Sequence, residues 1–508
     1  MYKVMMAACA LVLATAGGSW AQATVVHNVI AASGAPAPAP ADGTYSVLSL
    51  VASVGESLQV NSSGQVAYRA LIAGDANIVG LFLHDGTSAA VVALQRTVAP
   101  AGGNYGGVDS FHLNNSGEIA FRSGLNGGSS VQGIFLFDGT AASTIALQGM
   151  ASPAGGTYDF LSSPRLNAVG QVAFGAVVSG GPNGIFRYDS STGTPIALAG
   201  TAAPAGGTYV NVGSAGVVQL NANGQVAFHS TLSGSLSTPG TFLHDGTTAT
   251  ALAVHRTAAP AGGNYGSVLS GVDIQLNDSG QAAFRSTLIG GGSTEGIFLH
   301  DGTTTVALAL QGTAAPAGGI YSSLPQRLDM NSSGLVVYQA ELAGGSSTQG
   351  IFLHDGTTAA ALALSGTAAP GTTGMFQSFG TAPRVNDLGV VVLHATLAAG
   401  GDVTPENNVG YWYGTDPSNL SLLVRKGDSL FVNGMNRTLE SFLAGASLSD
   451  AGLAWTARFT DGTSAIIHTT FTVVPEPTTG VQLGLLALGA ARLRRSLRAV
   501  GGRGTPCS

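Results

Sequence analysis

Short apolar runs separated by turn residues fill the body of the chain. Residues 163–200 show the pattern in four runs: SPRLN, GQVAFGAVV, GIFRYD and PIALAG. The first turn, Asn167 to Gly170, suits a tight hairpin, because an Asn side chain can bond its own turn and Gly accepts positive φ. The third turn is Asp-Gly in most copies, as at Asp85-Gly86, Asp245-Gly246 and Asp301-Gly302. Asp-Gly between apolar runs is a strong hairpin signal. The pattern therefore predicts four antiparallel strands per unit. Runs such as QVAF and ALAL are apolar on both faces, which fits sheets sandwiched between neighbours.

The pattern repeats. Its marker N-x-x-G recurs at Asn61, Asn114, Asn167, Asn221, Asn277, Asn331 and Asn386, at spacings of 53 to 56 residues. A degenerate eighth copy starts at Ser449, 63 residues after Asn386, and the eight units leave no segment for a second folded domain. Four strands in a unit of this length is the arithmetic of a propeller blade. The expected fold is all-β, a β-propeller of eight four-stranded blades over 24–473. The last unit offers strands near Leu439–Leu443, Leu453–Phe459 and Ala465–Phe471, and lacks a fourth before Pro475. Residues Thr24–Tyr45 align with Thr304–Tyr321, a fourth strand plus linker, so the N-terminal strand is expected to complete blade eight. Closure removes the exposed edges that an open sheet must protect. A solenoid is the competing architecture, and it would want dedicated caps.

Composition narrows the class. Glycine contributes 75 of 508 residues without the three-residue period of collagen, and the mean hydropathy of +0.31 with 9% charged residues is unlike a disordered chain. The formal net charge is −7, and lysine occurs only at Lys3 and Lys426, so nothing resembles the basic footprint of a nucleic-acid binder.

Candidate chemistry is sparse. His84, His244, His300 and His354 share one repeat position, which Phe137 and Tyr188 fill elsewhere, so the slot reads as packing for a flat ring rather than a metal site. The neighbouring Asp85, Asp138, Asp189, Asp245, Asp301 and Asp355 read as turn residues, since a calcium loop wants more clustered oxygens. Glycosidase chemistry needs two carboxylates across a sugar bond. Acidic residues outside the repeat consensus are Asp75, Asp109, Glu118, Asp159, Asp273, Glu295, Asp329, Glu341, Asp402 and Glu406. Of these, Asp159, Asp273 and Asp329 fall near first strands, with Arg165, Arg327 and Arg384, so the mouth of a central channel is the place to look for a ligand. The alternative is a water-filled channel lined with polar groups. No nucleophile elbow, H-E-x-x-H, P-loop or dinucleotide fingerprint is present, and no cofactor, metal or catalytic residue is expected. Strand order puts the N-x-x-G and D-G turns on one face. The other is expected to carry the GTAAPAGG linkers and hydroxyl-rich loops such as AGGSSTQG at Ala343.

The ends concern export. Lys3 precedes the apolar stretch Val4 to Ala16, and Ala21-Gln22-Ala23 fits a small-x-small cleavage site, so 1–23 reads as a secretory signal peptide for signal peptidase. The cysteines, Cys9 and Cys507, both lie outside the expected body. Near the other end stand Pro475-Glu476-Pro477, an apolar run at 481–491, and Arg492, Arg494 and Arg495. Spanning a bilayer takes about 20 apolar residues, so this run suits a transient anchor, with the arginines held on the cytoplasmic side.

The order VPEP, apolar segment, arginine cluster over 474–508 resembles the PEP-CTERM sorting signal of Gram-negative bacteria. The resemblance implies recognition by an exosortase, cleavage near the Pro-Glu-Pro, and delivery of the body to the cell surface or beyond. The N-x-x-G-x-x-x-F spacing, as in Asn114…Phe121, Asn167…Phe174, Asn221…Phe228 and Asn277…Phe284, resembles bacterial surface proteins of tandem NxxGxxxF repeats with interchangeable anchors. That family implies secretion and anchoring, and no reaction. The expectation is a non-catalytic scaffold of the cell surface or extracellular matrix that contacts exopolysaccharide or surface partners at many weak sites. A carbohydrate-active propeller enzyme, with acids at the channel mouth, is the alternative.

Overall fold

The computed structural model describes residues 24–48, 57–74, 78–213, 218–234, 238–260, 262–266, 274–324, 327–380 and 383–472. The expected processing residues Ala21, Ala23, Pro475, Glu476, Pro477, Arg492, Arg494 and Arg495 lie outside them, as do Asp75 and Asp273.

Residues 25–471 form eight small antiparallel sheets arranged as an eight-bladed β-propeller. Blade three is representative: its second, third and outer strands are Val172–Ser179, Gly184–Asp189 and Thr192–Leu198. Its inner strand is broken into Thr157–Leu161 and Arg165–Leu166, both paired with Val172–Ser179. The first of these pieces was not anticipated from the sequence. It carries the tyrosine that follows each glycine-rich linker, and Tyr158 packs edge-on against Phe186 at 5.3 Å. Corresponding tyrosines, Tyr105, Tyr265 and Tyr321, meet Phe135, Phe298 and Phe352 the same way. Edge-to-face contact aligns a ring's positive edge with its neighbour's negative face.

The core lies between blades rather than within them. Leu81 and Ala93 of blade one pack with Phe121 and Phe135 of blade two, which is why the strands are apolar on both faces. The closing junction is built alike: Ala454 and Ile466 of blade eight pack with Tyr68 and Phe82 of blade one. Closure comes from the N-terminal strand, Val25–Ala32, which pairs antiparallel with Ser464–Phe471 as the outer strand of blade eight.

Two details differ from expectation. The inner strand of blade eight runs over Met435–Ser449, longer than the expected Leu439–Leu443, and folds back on an extra strand, Ser429–Val432. The turn between them uses Asn433 and Gly434, both at positive φ. The linkers, moreover, do not simply cover a face. Each is a tight hairpin closed by backbone bonds, such as Ala315 N–H to Gly319 O at 3.1 Å and Tyr321 N–H to Thr313 O at 3.0 Å. The alanine before its proline is buried between blades: Ala315 packs with Ile297 of blade five and Tyr338 of blade six. Burying small apolar side chains in the wedge removes them from water, so A-A-P is a filler more than a display loop.

Candidate functional site

The axis is the first place to look, and its polar groups are engaged in holding the ring. Each N-x-x-G asparagine is buried and bonds in two directions. Asn167 Oδ1 accepts from the backbone N–H of Val169 (3.2 Å) and Gln171 (2.8 Å), shaping its own turn. Its Nδ2 donates to Gln171 Oε1 and to the backbone oxygen of Asn221 in the next blade, both at 2.9 Å. The inter-blade bond recurs from Asn61 to Asn114, Asn114 to Asn167, Asn221 to Asn277, Asn277 to Asn331 and Asn331 to Asn386, at 2.9–3.2 Å. Asn386 then donates to Ser449 O (3.1 Å), and the Ser449 hydroxyl donates to Asn61 O (2.9 Å). The eight bonds close a circle. The degenerate eighth copy keeps a donor where the asparagine is lost. This circle was not read from the sequence, although the Gln or Glu four residues after five of the asparagines (Gln65, Glu118, Gln171, Gln225, Gln281) was its visible trace.

At most junctions the residue two before this position makes a second link. Gln59 Nε2 donates to Phe111 O at 3.1 Å, and Gln59 Oε1 accepts from Leu113 N–H at 2.7 Å. His112 Nδ1 accepts from Leu166 N–H (3.4 Å), and Arg165 Nε donates to Val218 O (3.1 Å). Asp329 Oδ2 accepts from Val385 N–H (3.0 Å), and Ser447 Oγ from Val60 N–H (3.2 Å). Two of the expected channel-mouth charges, Arg165 and Asp329, thus bond a neighbouring blade's backbone, and Arg384 holds the same repeat position. Arg327 is exposed beside the inner strand of blade six. Asp159 is exposed on the first piece of blade three's inner strand, 3.5 Å from Gln148 Nε2, and so sits in a different half of the strand from Asp329.

Among the described residues the remaining acids lie elsewhere. Asp109 pairs with Arg122 (3.2 Å), Asp402 with Arg425 (2.9 Å), and Glu295 with Arg285. Glu118 Oε2 accepts from Asn114 at 2.7 Å, Glu341 is exposed, and Glu406 is held below the ordinary range chiefly by its hydrogen bond from Thr404. Among the described residues, no group of three or more His, Cys, Asp or Glu side chains is placed to hold a metal ion.

The histidine slot does more than pack. Nδ1 of His84, His244 and His354 each accepts the N–H of the glycine two residues on, at 3.0 Å. The aspartate between them accepts three bonds of its own: Asp85 Oδ1 takes Thr87 N–H, Ser88 N–H and the Thr87 hydroxyl at 2.7–2.8 Å. These donors hold Asp85, Asp245, Asp301 and Asp355 well below the usual carboxylate range, and Asp138 at about 2. Burial pushes the four histidines down, and His112, buried beside the Arg165 charge, is pushed down to about 3.

These shifts predict acid sensitivity with a definite order. Above pH 7 His112 is neutral folded or unfolded and contributes nothing. As pH falls through about 6.5 only the unfolded chain gains its proton, so stability drops by up to about 1.4 kcal/mol per pH unit for such a histidine. The turn aspartates act lower down: their contribution is full above their unfolded values near 4 and is lost as pH falls through their folded values. Urea midpoints should be flat from pH 7 to 9, decline below 6.5 and drop more steeply below 4. His112→Gln, which keeps an acceptor for Leu166 N–H, should reduce the first decline.

Away from the axis, concave surface recurs between blades. A groove of about 580 Å³ lies between blades five and six, lined by Ala307–Leu310, Thr313–Pro316, Tyr321 and Thr358–Ala359. A second, of about 390 Å³, lies between blades one and two, lined by Val91–Leu94, Thr97–Pro100, Tyr105 and Ala142, with Pro40 at its edge. Apart from Pro40 and Thr358 the linings correspond: outer strand, linker, tyrosine, and the start of the next outer strand. Their threonine hydroxyls bond within the protein, Thr97 to Leu94 O, Thr313 to Leu310 O and Thr358 to Asp355, and the Tyr321 hydroxyl is buried against Tyr338.

Known proteins give a family. A model for a family of unknown function (DUF7453) matches residues 5–241 and again 182–452. No curated protein matches the chain. Among solved structures, the β-propeller domain of the Trilobed protease from Pyrococcus furiosus is similar at 9% identity and a TM-score of 0.38, over 76% of this chain and 100% of that one. A puromycin-hydrolyzing peptidase of Mycobacterium tuberculosis is similar at 11% identity and a TM-score of 0.37, over 81% and 61%. The Aleuria aurantia lectin in complex with α-methyl-L-fucoside follows at 13% identity and 0.28, over 64% and 99%. These likenesses concern fold alone. Among the described residues no helix is long and apolar enough to cross a membrane.

Proposed function

The chain belongs to this family of unknown function, DUF7453, and on that premise we propose that it is an exported, non-catalytic scaffold that holds exopolysaccharide or surface partners in its inter-blade grooves. The observation that carries the reading is the recurrence of one groove, in corresponding residues, at two separate junctions. A site repeated around a rigid ring gives avidity from geometry, because the second contact on a polymer is effectively intramolecular. The polar groups at the axis support the same reading from the other side, since the inter-blade bonds of Gln59, Arg165 and Asp329 occupy them.

A glycan array probed with purified residues 24–473 tests this. Binding should weaken as oligosaccharide length falls. Ala314→Trp, at an exposed groove position, should lower the number of sites seen by calorimetry without changing the melting temperature. Hydrolysis or lyase cleavage of any bound glycan would contradict the non-catalytic part of the proposal.

Export and anchoring complete the proposal. Val25 lies opposite Phe471, where the other blades carry their D-G turn, so the propeller begins and ends at one face. In this reading residues 474–508 serve as an exosortase-processed, transient inner-membrane anchor. Mass spectrometry of the exported protein should give an N-terminus at Thr24 and a C-terminus near Pro475–Pro477. Secreted material ending at Ser508 would contradict the processing.

A further inference from the structure

The strand that closes the ring carries a titratable group where the other outer strands carry none. His27 lies directly opposite Thr469 in the pairing of Val25–Ala32 with Ser464–Phe471. The corresponding position holds Ala89, Gly193, Thr305 and Ser421 in blades one, three, five and seven. It is alanine in blades two, four and six. Thr469 in turn occupies the slot that His84 and His300 fill in blades one and five.

The contacts of His27 fix its protonation state. Thr469 is fully buried, and its Oγ1 accepts Trp455 Nε1–H at 2.8 Å. His27 Nδ1 lies 2.8 Å from the same oxygen. The hydroxyl's own hydrogen therefore goes to Nδ1, which must be bare, with the ring's hydrogen on Nε2. A proton on Nδ1 would make the ring a donor too, and would leave the buried hydroxyl's hydrogen without an acceptor. Burial pushes His27 down from its ordinary value, and the Asp428 carboxylate offsets part of this. His468, beside Thr469, is buried with Nε2 unpartnered. Burial and the nearby His84 of blade one hold it down, against a bond with the Ala451 backbone that raises it. Elsewhere in blade eight Arg437 pairs with Asp461 and Arg458 with Glu440. From blade seven, Tyr411 meets the Trp455 ring, and His394, itself held down by burial, meets Tyr411.

Release of this strand is a local event. Val25–Ala32 comes from the other end of the chain from the rest of blade eight, so its departure breaks pairing and packing but no turn within the blade. Below about pH 6.5 the free strand takes up a proton that the held strand resists, so acid favours the free form. We propose that the closing strand is an acid-released latch: protonation of His27, seconded by His468, frees Val25–Ala32 from blade eight in mildly acidic surroundings while the other blades stay folded. This does not depend on what the grooves bind.

The test uses residues 24–473, whose indoles are Trp412 and Trp455 alone. Lowering the pH from 7.5 to 5.5 should shift the tryptophan emission to the red as Trp455 loses its cover, with far-UV circular dichroism retained. Returning to pH 7.5 should reverse the shift. His27→Gln, an uncharged acceptor for the Thr469 hydroxyl, should move the midpoint down by at least one pH unit. A labelled peptide of residues 24–34 carrying His27→Gln should bind the parent at least tenfold more tightly at pH 5.5 than at pH 7.5, since the vacated edge accepts a strand. Equal midpoints in parent and variant, or a red shift that coincides with loss of circular dichroism, would overturn the latch. So would equal peptide binding at the two pH values, and this comparison, made on the parent, decides alone if His27→Gln does not fold.

Discussion

Deleting residues 24–32 is expected to open the ring. Blade eight would lose the strand that pairs with Ser464–Phe471 and, with it, the buried Ile30, Ala31 and Ala32. Ile30 and Ala31 also belong to the cluster between blades eight and one, so the loss reaches the closing junction and not only an edge. Fully burying one aliphatic side chain contributes about 1.5–3 kcal/mol, and an uncovered central strand invites pairing with other chains. The melting temperature should fall by about 10 °C or more, with aggregation on heating. A synthetic peptide covering 24–34 should restore most of the loss, because the vacated edge accepts a strand in trans. A truncated chain that melts like the parent would show that closure does not depend on this strand.

The circle of asparagines gives the second large effect. Replacing Asn167 by Ala removes four bonds, leaving the buried oxygen of Asn221 and the part-buried N–H groups of Val169 and Gln171 without their side-chain partner. A buried orphaned group costs about 1–3 kcal/mol, and water reaches the other two, so a total loss of about 2–3 kcal/mol is expected, at the upper end for a single substitution. Asn167→Asp is the sharper variant. It keeps shape and both acceptor bonds but loses the two donors, and sets a carboxylate against Asn221 O and Gln171 Oε1. It should be at least as damaging as alanine, as read from urea midpoints. A harmless Asn167→Asp substitution would mean that the inter-blade bond contributes little.

Much of this architecture was legible in the sequence because it is periodic. The recurrence of N-x-x-G and D-G, and the alignment of 24–45 with 304–321, were enough for blade number, strand number and closure. What the period hides is anything that depends on the neighbouring blade. Asn167 reads as a turn residue, and it is one. Its second role exists only because the oxygen of Asn221, fifty-four positions away, is brought within reach by closure. Arg165 and Asp329 read as ligand candidates for the same reason: an isolated charge near the axis looks free until the next strand's backbone is placed beside it. The linkers misled differently. Their composition is that of a solvent loop, and only the burial of Ala99, Ala315 and Ala369 shows them as wedges.

The central claim, that binding resides in the inter-blade grooves rather than at the axis, is most directly tested by hydrogen exchange of residues 24–473 with and without a bound polysaccharide. The account predicts added protection in the linkers, at 96–105 and 313–321, with the inner-strand segments around Gln59, Arg165 and Asp329 unchanged. Protection confined to those inner strands, with the linkers unaffected, would contradict it.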